Sequence, residues 1–124
     1  MEKGLTYTSV AEVTAANTAI VLGSGDMDVF ATPALVALME NAAMNAVKSA
    51  LPEGSTTVGA MIQTSHIKPS AVGETVKATA VLQEVDGRKL TFSVSAVDSQ
   101  GAVGEGTHIR YVVDRERFLA KLKK

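Results

Sequence analysis

Three residues of this chain combine chemical capability with neighbours that make them conspicuous. Glu40 lies in Phe30-Ala31-Thr32-Pro33-Ala34-Leu35-Val36-Ala37-Leu38-Met39-Glu40-Asn41-Ala42-Ala43-Met44, a stretch that is apolar almost throughout. At about 100° per residue, Asn41, Asn45 and Lys48 share a narrow polar stripe, whereas Glu40 falls level with Val36, Met44 and Val47. A carboxylate among such neighbours needs partners. His66 lies near the end of a long alternating stretch, on the face shared with Val58, Ala60 and Ile62. Thr32 stands at the start of the apolar stretch. If a helix there packs on that strand face, Glu40 and His66 approach each other. A carboxylate, an imidazole and a hydroxyl suit hydrolysis of an activated acyl group, one attacking or activating water while another moves the proton. Backbone N–H groups at the helix start would hold the developing oxyanion.

Each of these residues also has a plainer reading. Thr32 before Pro33 is a helix cap. Glu40 is a boundary residue of its helix. His66 is a structural residue at a strand end. His108 and Arg110 share one strand face and read as a solvated sheet surface. Gly59 allows close approach of a ligand, or makes room for the helix. Two distant histidines and scattered carboxylates lack metal-ligand spacing, and no glycine-rich phosphate loop follows a strand.

The elements that must position these groups are legible in the patterning. Ala, Leu and Met make the stretch from Thr32 a strong helix, ended by Leu51-Pro52-Glu53-Gly54. Before it, Leu5–Thr14 reads as a strand with Tyr7, Ser9, Ala11 and Val13 on one face. Asn17–Leu22 reads as a short extended piece, and Gly23-Ser24-Gly25-Asp26-Met27-Asp28 as a flexible connection. After the helix the period changes to 2. A strand over 56–68 ends at a turn, Pro69–Gly73. Residues 74–85 turn Val76, Ala78, Ala80 and Leu82 inward, and Asp86-Gly87 signals a hairpin into Leu90, Phe92, Val94 and Ala96. Ser99-Gln100-Gly101 turns into a strand over 102–113, whose Gly104 and Gly106 suggest a bulge or close backbone approach. Asp114 then caps a short helix with Phe118, Leu119 and Leu122 as its apolar stripe. The expected fold class is α+β, a hot-dog arrangement. One long helix is wrapped by an antiparallel sheet of about five strands, four of them in a meander, with a short C-terminal helix. A protomer of this size is expected to pair with a second copy.

Composition bounds the function. With 124 residues, 46% of them hydrophobic and 20% charged, residues 1–124 are expected to form one globular domain. Without cysteine there is no disulfide, thiolate metal site or cysteine nucleophile. The net charge of -1 and 4% aromatic content argue against a nucleic-acid surface. Residues 1–20 contain no apolar signal-like region and no stretch approaches membrane-spanning length, which points to a cytoplasmic protein with no membrane partner.

With these residues aligned, the chain resembles the fluoroacetyl-CoA thioesterase family of hot-dog proteins, from about Asp28 to the C-terminal helix. The resemblance rests on Ala31-Thr32-Pro33-Ala34-Leu35-Val36-Ala37-Leu38-Met39-Glu40, Val58-Gly59-Ala60, Thr64-Ser65-His66-Ile67-Lys68-Pro69, Val85-Asp86-Gly87-Arg88-Lys89-Leu90 and Gly104-Glu105-Gly106-Thr107-His108-Ile109-Arg110. It implies acyl-CoA thioester hydrolysis in a homodimer or a dimer of dimers. The implied catalytic set is Thr32, Glu40 and His66, with Gly59 near the thioester and Arg110 beside the substrate. No metal or cofactor is implied, CoA entering only as part of the substrate. The fluoroacetyl-specific member has a longer segment before the helix, with phenylalanines forming a lid. Gly23–Asp28 here has no aromatic, so a general short- or medium-chain acyl-CoA, or another thioester carrier, is expected. Glu40 is either the nucleophile or the base that activates water. The alternatives are a non-catalytic acyl-CoA or lipid-binding module, a hot-dog enoyl-thioester hydratase, and a structural dimerisation protein.

Overall fold

In the computed structural model, which describes residues 1–123, alternating stretches become five strands and the apolar stretch becomes one helix. The order is β1 (Thr6–Glu12), α1 (Ala19–Leu22), α2 (Thr32–Val47), β2 (Ser55–His66), β3 (Thr75–Asp86), β4 (Lys89–Asp98), β5 (Gly101–Asp114) and α3 (Arg115–Ala120). A single 3-10 turn, Lys48–Ala50, follows α2. The strands form one antiparallel sheet in the order β1-β3-β4-β5-β2, and α2 lies on its inner face.

That order corrects the expected four-strand meander. Only β3, β4 and β5 follow one another; β2 sits beyond β5 at one edge, while β3 pairs with β1 at the other side. The segment after His66 is therefore a crossover rather than a tight turn. It is tied down along its length. Phe30 N donates to Ser70 O at 2.9 Å, and Ser70 Oγ donates to Asp98 Oδ2 at 2.7 Å. Lys68 Nζ also bonds that carboxylate oxygen, whose side chain is fully buried.

Small residues let α2 approach the sheet closely. Ala42, Ala43 and Ala46 on the helix, with Ala78, Ala80 and Ala96 on the strands, are all buried in one core with Leu35, Met39, Leu82, Leu90 and Phe92. The inward sets predicted for β3 and β4 are the buried ones. Ser9 Oγ donates to Asn41 Oδ1 at 2.7 Å, which turns the polar stripe of α2 toward β1 and leaves Glu40 on the β2 side. The hairpin at Asp86-Gly87 has Gly87 at φ 61°, a conformation that glycine adopts without strain.

Three local expectations change. Ala19–Leu22 is a four-residue helical turn closed by Gly23, not an extended piece. Thr32 does not cap α2: Ala31 is the N-cap, no side chain caps it, and Thr32 already lies in the helix. In β2 the face alternation switches midway, because Gly59 pairs with Arg110 and Met61 with Ile109, leaving Ala60 as the extra residue of a bulge. Thr57 and Gly59 therefore share the inner face with Ile62, Thr64 and His66, and Val58 and Ala60 do not. Asp114 caps α3 as expected, accepting from Arg117 N at 2.9 Å, but Phe118, Leu119 and Leu122 remain exposed.

Candidate active site

The hydroxyl that does not cap α2 has another partner. Thr32 Oγ1 lies 2.7 Å from His66 Nδ1, so the first turn of the helix is joined to the last residue of β2. Burial pulls the His66 imidazole below its ordinary 6.5, and the Lys68 charge pulls the same way against a backbone hydrogen bond at Lys68. The ring is thus neutral near pH 7. His66 Nε2 is buried and has no hydrogen-bond partner among the described residues. The pair lies on the wall of an open cleft of about 310 Å³, shared with Asp26, Met27, Phe30 and Pro69. That volume suits a small ligand.

Glu40 belongs to a second cluster. Its Oε2 stands 3.7 Å from Arg110 Nη1, with the Glu40 side chain 40% exposed and that of Arg110 only 8%. The carboxylate lies over Gly59: a Cβ at that position would come within 2.8 Å of Oε2 and 3.4 Å of both Arg110 Nη1 and His108 Cε1. Of the two readings of Gly59, the one seen here is room beneath the helix, where the Glu40 side chain passes over it.

Arg110 and His108, read from sequence as a solvated sheet surface, are buried instead. Their strand turns Gly104, Gly106, His108 and Arg110 toward β2 and the helix, because the residues opposite them, His66, Thr64, Ile62 and Gly59, face inward too. A guanidinium taken out of water must spend its donors on fixed acceptors. Arg110 Nε donates to Thr57 Oγ1 at 2.8 Å, Nη2 to Thr57 O at 3.0 Å, and Nη1 meets His108 Nε2 at 3.2 Å. Burial lowers its pKa, opposed by the Glu40 charge, but a guanidinium remains charged near neutrality. Sequence reasoning missed Thr57 and His108 as parts of this cluster. The signal available in the sequence is parity: His108 and Arg110 alternate in step with Gly104, which lies under Leu35 and Met39 of the helix, and with Gly106, which lies against β2.

The two clusters do not meet within one chain. No hydrogen bond or ion pair joins Glu40 to His66 among the described residues. Glu40 lies eight residue steps along the helix from Thr32, an axial distance of about 12 Å. The expected approach of Glu40 to His66 is therefore absent from the single protomer. What the chain presents is a hydroxyl–imidazole pair at one level and a carboxylate held by a buried cation at another. No group of three or more His, Asp or Glu side chains among the described residues is placed to hold a metal ion.

A curled antiparallel sheet around one long helix, with its polar groups along the helix–β2 seam, is a hot-dog fold. A hot-dog-like protein from Thermanaerovibrio acidaminovorans, 24% identical, superposes with a TM-score of 0.89 over 98% of this chain and 90% of that one. The model of the fluoroacetyl-CoA-specific thioesterase family matches residues 13–116. The fluoroacetyl-CoA thioesterase of Streptantibioticus cattleyicolor is 41% identical over 96 residues, which is 77% of this chain and 69% of that protein. A solved structure of a fluoroacetyl-CoA thioesterase, 35% identical, superposes with a TM-score of 0.93 over 99% of this chain and 96% of that one. The chain belongs to the fluoroacetyl-CoA-specific thioesterase family, and its activity class is acyl-CoA thioester hydrolysis. No helix among the described residues is long and apolar enough to cross a membrane.

Proposed function

We propose that this protein, acting as one domain over 1–124, hydrolyses a short- or medium-chain acyl-CoA, or a related acyl thioester. Thr32, Glu40 and His66 are the reacting side chains, with Gly59 and Arg110 beside the thioester. The observation that carries this reading is the 2.7 Å contact of Thr32 Oγ1 with His66 Nδ1 at the wall of the 310 Å³ cleft. Solved variants of the fluoroacetyl-CoA thioesterase hold fluoroacetate and CoA in one case and acetyl-CoA in another, which supports a small acyl group on CoA. The aromatic-free Gly23–Asp28 connection supports a general acyl group over a fluorinated one.

In this reading Glu40 attacks the thioester carbonyl or deprotonates the water that does. The first-turn N–H groups of α2, which no side chain caps, face the carbonyl oxygen as it gains charge. With Thr32 donating to Nδ1, His66 Nε2–H hydrogen-bonds the departing sulfur and relays to it the proton that the attacking water gives up. The C–S bond breaks and the thiol leaves; where water attacked, the free acid forms directly, and where Glu40 attacked, a second step with water cleaves the Glu40 acyl anhydride to release it. Side chains, the backbone N–H groups of α2 and water supply these steps, and no metal or cofactor is invoked.

The reading needs a homodimer. β2 is an edge strand of twelve residues, with exposed Ala60, Met61, Gln63 and Ser65, and an edge of that length invites pairing. Two copies of β2 paired antiparallel, about a two-fold axis midway between Gly59 and His66, bring His66 of one copy opposite Gly59 of the other. Glu40 then faces the Thr32–His66 pair of the second copy. A cysteine-free chain is in keeping with the cytoplasm, and neither nucleic acid nor membrane enters as a partner.

Free-thiol release by the purified protein across a panel of acyl-CoAs tests the reading. Wild-type turnover, lowered about 10²–10⁴-fold in Glu40→Gln and His66→Ala, is expected. Equal activity in all three proteins sinks the site assignment. Binding without turnover identifies a non-catalytic acyl-CoA module.

A further inference from the structure

The Arg110 cluster contains one group that the hydrolysis does not touch. His108 is 1% exposed and its ring centroid lies 6.3 Å from that of Phe92, its neighbour on β4. Both ring nitrogens are engaged. Nδ1 stands 2.7 Å from the carbonyl oxygen of Met61, at the bulge of β2. A carbonyl only accepts, so Nδ1 carries the proton. Burial, with the Arg110 charge acting the same way, holds the imidazole below its ordinary 6.5 against the Met61 hydrogen bond and the Glu40 charge. The neutral ring then has a lone pair on Nε2, and Arg110 Nη1 donates to it at 3.2 Å.

We propose that His108 is a positioning residue: anchored by the Met61 carbonyl, it fixes Arg110, and through Arg110 it holds the Glu40 carboxylate over Gly59. Thr57 grips the Nε and Nη2 side of the guanidinium and His108 grips Nη1, so the fork is held from two sides. The donors not used in this grip are what remain for Glu40, at 3.7 Å. Without the lone pair of His108, Nη1 has no buried acceptor. The guanidinium must then rotate to find one, and the carboxylate follows it. The bulge is part of the device, since it places the Met61 carbonyl against His108 and Gly59 under Glu40. The proposal rests on Glu40 being the reacting carboxylate.

Two substitutions in the full chain separate the functions of the ring. His108→Asn keeps a donor within reach of Met61 O and withdraws the atom that faces Arg110; His108→Gln extends an acceptor toward Arg110. With acetyl-CoA as probe, His108→Asn is expected to lose about a hundredfold in kcat with little change in KM, a displacement of about 1 Å being enough for that. His108→Gln is expected to recover most of the loss. In an Arg110→Ala background the Asn substitution should cost little more, because its effect passes through Arg110. Nitrogen NMR of the wild-type ring should show protonated Nδ1 and bare Nε2 at neutral pH. Wild-type kcat in His108→Asn, additive losses in the double variant, or a ring protonated on Nε2 each overturn the proposal. If His108→Asn does not fold, the wild-type ring decides alone, and protonation on Nε2 overturns the proposal. A wild type with no turnover on any acyl-CoA overturns the functional reading and this proposal together. An active wild type with an indifferent His108 overturns the proposal alone.

Discussion

Thr32 stands one residue before Pro33, and in that place its hydroxyl turns to His66 rather than to the helix N–H groups. Loss of a helix cap usually costs about 1 kcal/mol. Because no cap is made here, Thr32→Ala should lower kcat/KM for acetyl-CoA by at least tenfold while shifting the thermal midpoint very little. Thr32→Ser should retain most of the activity. A large drop in stability in the Ala variant would return Thr32 to a structural role. Gly59 makes a complementary case. An alanine Cβ there meets the free end of a flexible carboxylate, not backbone. Gly59→Ala should therefore fold normally and lose activity, because Glu40 is pushed from its place beside Arg110. The neutral His66 ring adds a pH dependence. Its pKa is lowered from 6.5, so kcat/KM should be flat near pH 7 and fall only once the pH drops below 6.5 toward the folded value. A fall that sets in above 6.5 would assign the titration to another group. Thr32, Glu40 and His66 were each legible as capable residues. Their pairing was not, because pairing depends on which strand lies beside which.

At the scale of elements, period-2 and period-3.6 patterning located every long element, since inward Val76, Ala78, Ala80 and Leu82 or Leu90, Phe92, Val94 and Ala96 leave little choice of face. The failures lie where an element departs from strict periodicity. Ala60 carries no mark of a bulge, so alternation counted from Val58 put the wrong half of β2 inside and hid the proximity of Gly59 to Glu40. Sheet order failed for a different reason. Strand patterns record which face is buried but not which edge is paired, so β2 beside β5 could not be read from them. The glycines of β5 do carry that information in retrospect. A Cβ on Gly106 would run into Gln63 O and the Thr64 Cα of β2, the latter at 2.7 Å, and one on Gly104 would meet Ser65 O. These are backbone contacts with no rotamer to relieve them. Gly106→Ala should therefore destabilise the fold by about 1–3 kcal/mol in urea denaturation, as overpacking does. A neutral result would mean that β2 can move away from β5 without loss.

The whole molecule is stapled at the crossover by a buried acid and divided at its centre by a missing contact. Burial alone would raise the pKa of Asp98. Hydrogen bonds from Lys68, Ser70 and the Gln100 backbone N–H outweigh it and hold the carboxyl below its ordinary 3.8. Its contribution to stability is present above 3.8 and is lost as the pH falls through the folded value; the two lowered histidines weaken the fold earlier, below 6.5, where the unfolded chain binds protons first. Unfolding free energy against pH should thus decline in two stages, and Asp98→Asn should remove the lower one. The contact absent from one chain is that of Glu40 with His66, and the proposed two-fold dimer through β2 would supply it. Complementation decides between a site within one chain and a site shared by two. In a shared site, each active centre takes Glu40 from one copy and Thr32 with His66 from the other. Mixing inactive Glu40→Gln with inactive His66→Ala then yields mixed dimers in which one centre carries both substitutions and the other carries neither. With random exchange, half the dimers are mixed and each has one intact centre, so activity should return to about a quarter of wild type. If Glu40 and His66 of the same chain acted together, every centre in the mixture would carry one defect. Refolding the two variants together and measuring thiol release from acetyl-CoA would then give no more activity than either alone, and the shared site would fall.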